Sequence, residues 1–128
     1  MPFRRGHHIG EFMGRNRELY LASKKRYYEK HKERHLQKGW IKRIRQRFGL
    51  TEDRYYEILD AQNRVCAICR GPEKKTRDGR VQRLCVDHCH ETGEVRGLLC
   101  HSCNVALGLL RDNPELIRQA AEYVERQK

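Results

Sequence analysis

The order of apolar and polar positions divides the chain into a small number of expected elements. In residues 1–14 the apolar residues follow no period and Pro2, Gly6, Gly10 and Gly14 interrupt them, so a loose leader is expected. From Arg15 to Phe48 there is no proline and a single glycine, Gly39, which favours one long helix. In its second half Leu36, Trp40, Ile41, Ile44 and Phe48 recur at helical spacing and are expected to pack on the C-terminal part of the chain. Its first half is polar on all sides apart from Tyr20, Tyr27 and Tyr28.

Gly49 is a stop signal, and Thr51 followed by Glu52 and Asp53 caps a helix over 51–63 that turns Tyr55, Ile58 and Leu59 to one side. Residues 71–83 read as a polar, turn-rich surface loop. Two strand-like runs, 83–88 and 94–99, flank a Thr-Gly turn and predict a hairpin. A short helix over 102–110 comes next. A last helix over 114–127, with Asp112 and Asn113 as its cap candidates and Pro114 at its first position, carries Leu116, Ile117, Ala120, Ala121 and Val124 as its apolar face. These elements make an α+β module over 51–128 behind a mostly helical arm over 1–50.

Charge sharpens that division. Residues 1–50 hold 15 Lys and Arg against 4 Asp and Glu, whereas residues 51–128 hold 13 against 13, so the net +11 resides in the arm. A basic arm on a neutral module predicts a polyanionic partner, with DNA or RNA ahead of an anionic membrane because the arm lacks a continuous apolar face. The residues expected to meet it are Lys24, Lys25, Arg26, Tyr27, Lys30, Arg43, Arg45 and Arg47, together with Arg96 from the module. The arm shows no base-reading motif, so contacts with phosphate should dominate and sequence preference should be weak. No apolar run is long enough to span a membrane and the first residues lack a secretory signal, which predicts an intracellular, cytoplasmic protein.

With 38% hydrophobic and 35% charged residues, the module can bury only a modest core and a staple is expected. Cys66-Ala-Ile-Cys69 and Cys100-His-Ser-Cys103 supply it as two pairs with the spacing of a four-thiolate zinc site. Cys85 and Cys89 are then surplus thiols; a rival zinc set would draw on Cys85, Cys89, His90 or His101.

Between the two pairs lies VDHCHETGEVRGLLCHSCN, preceded by CAIC. Over roughly Cys66 to Gly108 this resembles the phage recombination endonuclease VII family, a branch of the HNH or His-Me finger nucleases. The resemblance implies a ββα-metal module that cleaves DNA, with Asp87, His88 and Asn104 at its centre. It also implies a second metal, Mg²⁺ or Mn²⁺, and a bacterial host cell as the setting if the chain is phage-encoded. In that family a histidine also stands two positions after the base, which makes His90 a candidate to contact or orient the phosphate.

The residue chemistry agrees. Histidine titrates near neutral pH, so His88 can take a proton from an attacking water. A hard divalent cation prefers oxygen ligands, which the carboxylate of Asp87 and the amide of Asn104 offer. A bend at the end of the first strand would let Asp87 and His88 serve one site, and the positive end of the next helix would face the phosphate.

Two departures from the family pattern qualify the expectation. Leu107 stands where the best-known member has a carboxylate, and one helix comes after the motif where the junction-resolving member has a long helical dimerisation region. Both count against resolution of branched DNA rather than against DNA cleavage. The alternatives to a general DNA endonuclease are a structure-specific resolvase of four-way junctions acting as a homodimer, and a zinc-finger DNA-binding protein without catalysis. Duplex, nicked and branched DNA are all candidate substrates.

Overall fold

The computed structural model describes residues 9–126, with side chains from residue 17 onward. The described residues fall into two units, one ending at Trp40 and the other beginning at Ile41. A single helix, α1 (Ile9–Phe48), runs through the first unit into the second. It begins earlier than the sequence predicts: residues 9–14, expected as leader, are its first turns, and residues 1–8 lie outside the described residues.

In the first unit the side chains of residues 21–30 are all exposed. The aromatic residues there pack on their own helix at i, i+4 spacing. Lys24 Nζ lies 5.1 Å from the centre of the Tyr20 ring, and the rings of Tyr27 and His31 are 4.3 Å apart. Leu36, expected to pack, is 42% exposed.

The second unit starts with the last turns of α1. Ile44 is buried, Ile41 and Phe48 are half-buried, and the helix closes with Gly49 at φ 64° and a bond from Leu50 N–H to the Ile44 carbonyl. Thr51 then caps α2 (Glu52–Ala61) by accepting from the Arg54 N–H, as its sequence predicts. Tyr55, 1% exposed, donates its hydroxyl to the Leu84 carbonyl at 2.9 Å and so ties α2 to the entrance of the main hairpin.

Two antiparallel ribbons come next. The first, β1 (Thr76–Arg77) with β2 (Arg80–Val81), forms within the stretch expected to be plain loop. The second, β3 (Cys85–His88) with β4 (Val95–Leu99), contributes Leu98 and Leu99 to the buried core. β4 leads directly into α3 (His101–Leu109), which packs on both strands. Beyond it lies α4 (Pro114–Glu125), with Asn113 accepting from the N–H groups of Glu115 and Leu116. On α4, Leu116, Ile117 and Ala120 are half-buried while Ala121 and Val124, expected on the same face, are exposed.

The outer edge of β4 is held by a side chain. Gln62, just past α2, accepts from Leu98 N–H at 2.8 Å and donates to the Leu98 carbonyl at 2.9 Å, so its amide pairs with the strand as a backbone would. A side chain at Gly97 would bring its Cβ to 3.1 Å from the Gln62 Oε1, so the amide would have to give way by a few tenths of an ångström.

Candidate metal-dependent nuclease site

The four cysteines predicted as a staple converge. Their Sγ atoms all lie within 4.8 Å of one another, and Cys69 and Cys100 are 3.8 Å apart. Four sulfurs at zinc–thiolate distance around a tetrahedral ion stand ~3.8 Å apart, so the donor set and its spacing fit zinc. Each pair sits in a tight turn whose backbone faces the sulfur: Gly71 N–H points to Cys69 Sγ at 3.4 Å and Cys103 N–H to Cys100 Sγ at 3.5 Å.

The thiols are electrostatically uneven. Burial disfavours ionisation of Cys66, but N–H groups of Cys100, Cys69 and Ile68 outweigh it and draw the thiol down to about 6. Burial and the neighbouring thiols push Cys103 up to about 12. One thiolate forms readily and makes the next harder, which is the situation a dication relieves. Cys85 and Cys89 stay out of the cluster. Burial raises the Cys85 thiol, whereas hydrogen bonds from the Thr92 hydroxyl and the N–H groups of Thr92 and Glu91 lower that of Cys89.

The N-terminus of α3 is arranged differently from the expectation. Cys100 is its cap, His101 N–H donates to Glu73 Oε2 at 2.8 Å, and Cys103 N–H faces the Cys100 sulfur. The positive end of this helix is thus occupied by a thiol and a carboxylate. Burial works against ionisation of Glu73, but the N–H groups of Lys75, His101 and Lys74 hold its carboxyl below the usual range. Nothing in the sequence marks Glu73 for this role beyond its place in a basic loop.

Asp87 and His88 end β3, and the pairing register slips between them: Asp87 faces Gly97 and His88 faces Val95, leaving Arg96 as the extra residue of β4. The bulge aims Arg96 at Asp87. Its Nε and Nη2 donate to the two Asp87 oxygens at 2.7 and 2.9 Å, a bidentate pair around a carboxylate that is only 12% exposed. Arg96, expected to contact phosphate, is therefore engaged within the site. Hydrogen bonding to Asp87 holds its guanidinium still more firmly protonated.

Arg96 also reaches Asp112 Oδ2 at 3.3 Å, and the same oxygen lies 3.2 Å from His90 Nε2. The His90 ring in turn lies 4.7 Å from that of His88, whose other neighbour is Phe48 at 5.1 Å. Asp87, Arg96, Asp112, His90 and His88 thus form one continuous set of contacts, walled by an aromatic residue from α1. Asn104 stands on the first turns of α3, half-buried, on the helix that packs against both strands.

Asp112 is the member that sequence reasoning missed. It reads as part of the helix cap before Pro114, yet Asn113 does the capping and Asp112 is left to turn inward. Arg111 and Asp112 both take positive φ, 56° and 51°, and this unusual pair of left-handed residues sets the carboxylate's direction. Leu107 leaves α3 without a carboxylate, and Asp112 brings one to the site from the α3–α4 turn.

A hairpin with Asp-His on its first strand, leading into a helix that bears asparagine and is pinned by a four-cysteine cluster, defines the ββα-metal class of nuclease folds. The chain belongs to the recombination endonuclease VII family, whose model matches residues 41–126. It is similar to the Gene 59 protein of Mycobacterium phage L5, 42% identical over 87 residues, covering 67% of this chain and 50% of that protein. The Gene 59 protein of Mycobacterium phage D29 is 39% identical over 89 residues, covering 69% and 51% respectively. The chain thus spans about half the length of these curated relatives. Among solved structures it is similar to the ββα-Me type II restriction endonuclease Hpy99I, with 36% identity, a TM-score of 0.41, and coverage of 50% of this chain and 32% of that one. No helix among the described residues is long and apolar enough to cross a membrane.

Proposed function

We propose that this chain is a divalent-metal-dependent DNA endonuclease in which His88 is the general base and Asp87 and Asn104 hold the catalytic ion, Mg²⁺ or Mn²⁺, with zinc on the four cysteines as a structural ion. The observation that supports it best is the continuous contact set from Asp87 through Arg96, Asp112 and His90 to His88, since a scaffold alone does not require two acids, an arginine and two histidines in register.

The roles are drawn from the contacts. His88, held between Phe48 and His90, takes the proton from the attacking water. Arg96 fixes the plane of the Asp87 carboxylate, while its remaining lone pairs stay available to a cation. Asp112 positions both Arg96 and His90, and exposed His90 faces the approaching phosphate. A bound divalent ion supplies charge stabilisation for the phosphate and the leaving oxygen. The hydrophilic donor set of Asp87 and Asn104 suits a hard cation, and the thiolate set suits zinc.

The test is incubation of supercoiled plasmid and of a synthetic four-way junction with the zinc-loaded protein, with and without Mg²⁺ or Mn²⁺. Cleavage of plasmid that depends on the added ion is the expected result. Junction cleavage faster than plasmid cleavage would replace this reading with the resolvase, and survival of both substrates would replace it with a non-catalytic DNA-binding module.

The basic residues of α1, Lys24, Lys25, Arg26 and Lys30 with Arg43, Arg45 and Arg47, are exposed, as is Tyr27 among them, and are proposed to hold the substrate backbone. Removing residues 1–35 is expected to weaken duplex binding at low salt and to flatten its salt dependence, as measured by fluorescence anisotropy. Unchanged affinity would leave α1 as a solvated helix.

A further inference from the structure

Within residues 51–128 the positive charge is concentrated in one stretch. Residues 70–83 carry 6 Lys and Arg against 2 Asp and Glu, whereas the rest of residues 51–128 carry 7 against 11. The β1–β2 ribbon is the folded part of that stretch. Thr76, Arg77, Arg80 and Val81 are all exposed, so neither face of the ribbon is covered. Asp78 and Gly79 join the strands with φ of 51° and 73°, both positive as a two-residue type I′ turn requires, and Asp-Gly is a favoured sequence for it. The ribbon is thus a defined short hairpin.

Its register puts Arg77 directly opposite Arg80. Like charges facing one another across a ribbon are unfavourable to each other. A polyanion reverses that sign, because two guanidinium groups one strand-spacing apart can take adjacent phosphate oxygens. A two-stranded ribbon is also narrow enough to enter the ~12 Å major groove of a duplex.

We infer that the β1–β2 ribbon is a second DNA-contacting surface, placed by Arg77 and Arg80 on the duplex beside the cleavage site and distinct from the helical arm. This rests on the proposed function in taking DNA as the substrate. The ribbon runs through Val81 into β3, and Asp87 stands seven residues after Arg80. At ~3.4 Å per residue the two are at most ~24 Å apart. With ~3.4 Å per base pair, Arg80 contacts the duplex within about seven base pairs of the cut phosphate.

The test uses the full, zinc-loaded chain and a variant in which Arg77→Gln and Arg80→Gln are combined, with Arg118→Gln on exposed α4 as a control. Duplex affinity is measured across a salt series without added Mg²⁺ or Mn²⁺, and cleavage is measured with Mg²⁺ at saturating DNA. The double variant is expected to bind more weakly, with the slope of log affinity against log salt reduced by about 1.8, while its saturated cleavage rate and its circular dichroism match those of wild type. The control should leave the slope unchanged. A double variant with the wild-type slope overturns the inference while the nuclease reading stands. Equal slope losses in the double variant and the control also overturn it, as a general charge effect. Failure of wild type both to bind duplex and to cut it removes the nuclease reading and this inference together.

Discussion

His88→Ala is expected to lower the rate of metal-dependent plasmid cleavage by about 10²–10⁴-fold, the usual contribution of a positioned general base. Alanine removes the imidazole at the end of β3 but leaves the Asp87–Arg96 pair and the four-cysteine cluster intact, so the variant should fold and bind DNA as wild type does. Asp112→Asn provides the contrast. It keeps the shape of the side chain while removing the charge that holds Arg96 and His90, and a positioning group of this kind is worth about 10–100-fold. Its loss should fall on kcat, with KM near that of wild type. A His88→Ala protein that retains more than about a tenth of wild-type activity would move the base elsewhere, and the exposed His90 would be the next residue to replace.

The second large effect concerns the staple. Removing the metal by chelation, or replacing Cys66 with serine, is expected to abolish the cooperative thermal unfolding of the module. Structural zinc contributes about 10–16 kcal/mol of apparent binding energy in small zinc domains, which matches or exceeds the roughly 5–15 kcal/mol of total stability typical of a folded domain. The dependence is expected to be strong here, since the buried apolar side chains among the described residues, cysteines aside, are Ile44, Leu50, Leu84, Leu98 and Leu99 with the ring of Tyr55. Metal analysis by mass spectrometry should find one zinc per wild-type chain. A Cys66→Ser protein that melts cooperatively within a few degrees of wild type would show that the core suffices.

What can be read from the sequence is what depends on neighbours in the chain. The cysteine pairs, the Thr51 and Asn113 caps and the β3–β4 hairpin all have short-range signatures, and the bend between Asp87 and His88 comes from needing two adjacent side chains at one place. What cannot be read depends on where distant pieces meet. Asp112 looks like a turn residue until α3 and α4 are placed on the hairpin, and Glu73 looks like one more charge until the turn after Cys69 brings it to the N-terminus of α3. Arg96 reads as an outward residue because strand alternation says nothing of a bulge. The β1–β2 ribbon is a different case: its Asp-Gly turn is visible, but strands of two residues are too short to show any alternation.

Gln62 has a consequence for assembly. A two-stranded sheet has two open edges, and an open edge invites a strand from another chain. On β4 both backbone groups of Leu98 are occupied, by the amide of Gln62 and, at the carbonyl, also by Ala67 N–H. A third strand cannot be added there without displacing the Gln62 amide and the Ala67 backbone together. Copies of this chain that associate cannot do so by extending the sheet at Leu98 of β4, so that edge is protected from the strand exchange that leads to aggregation.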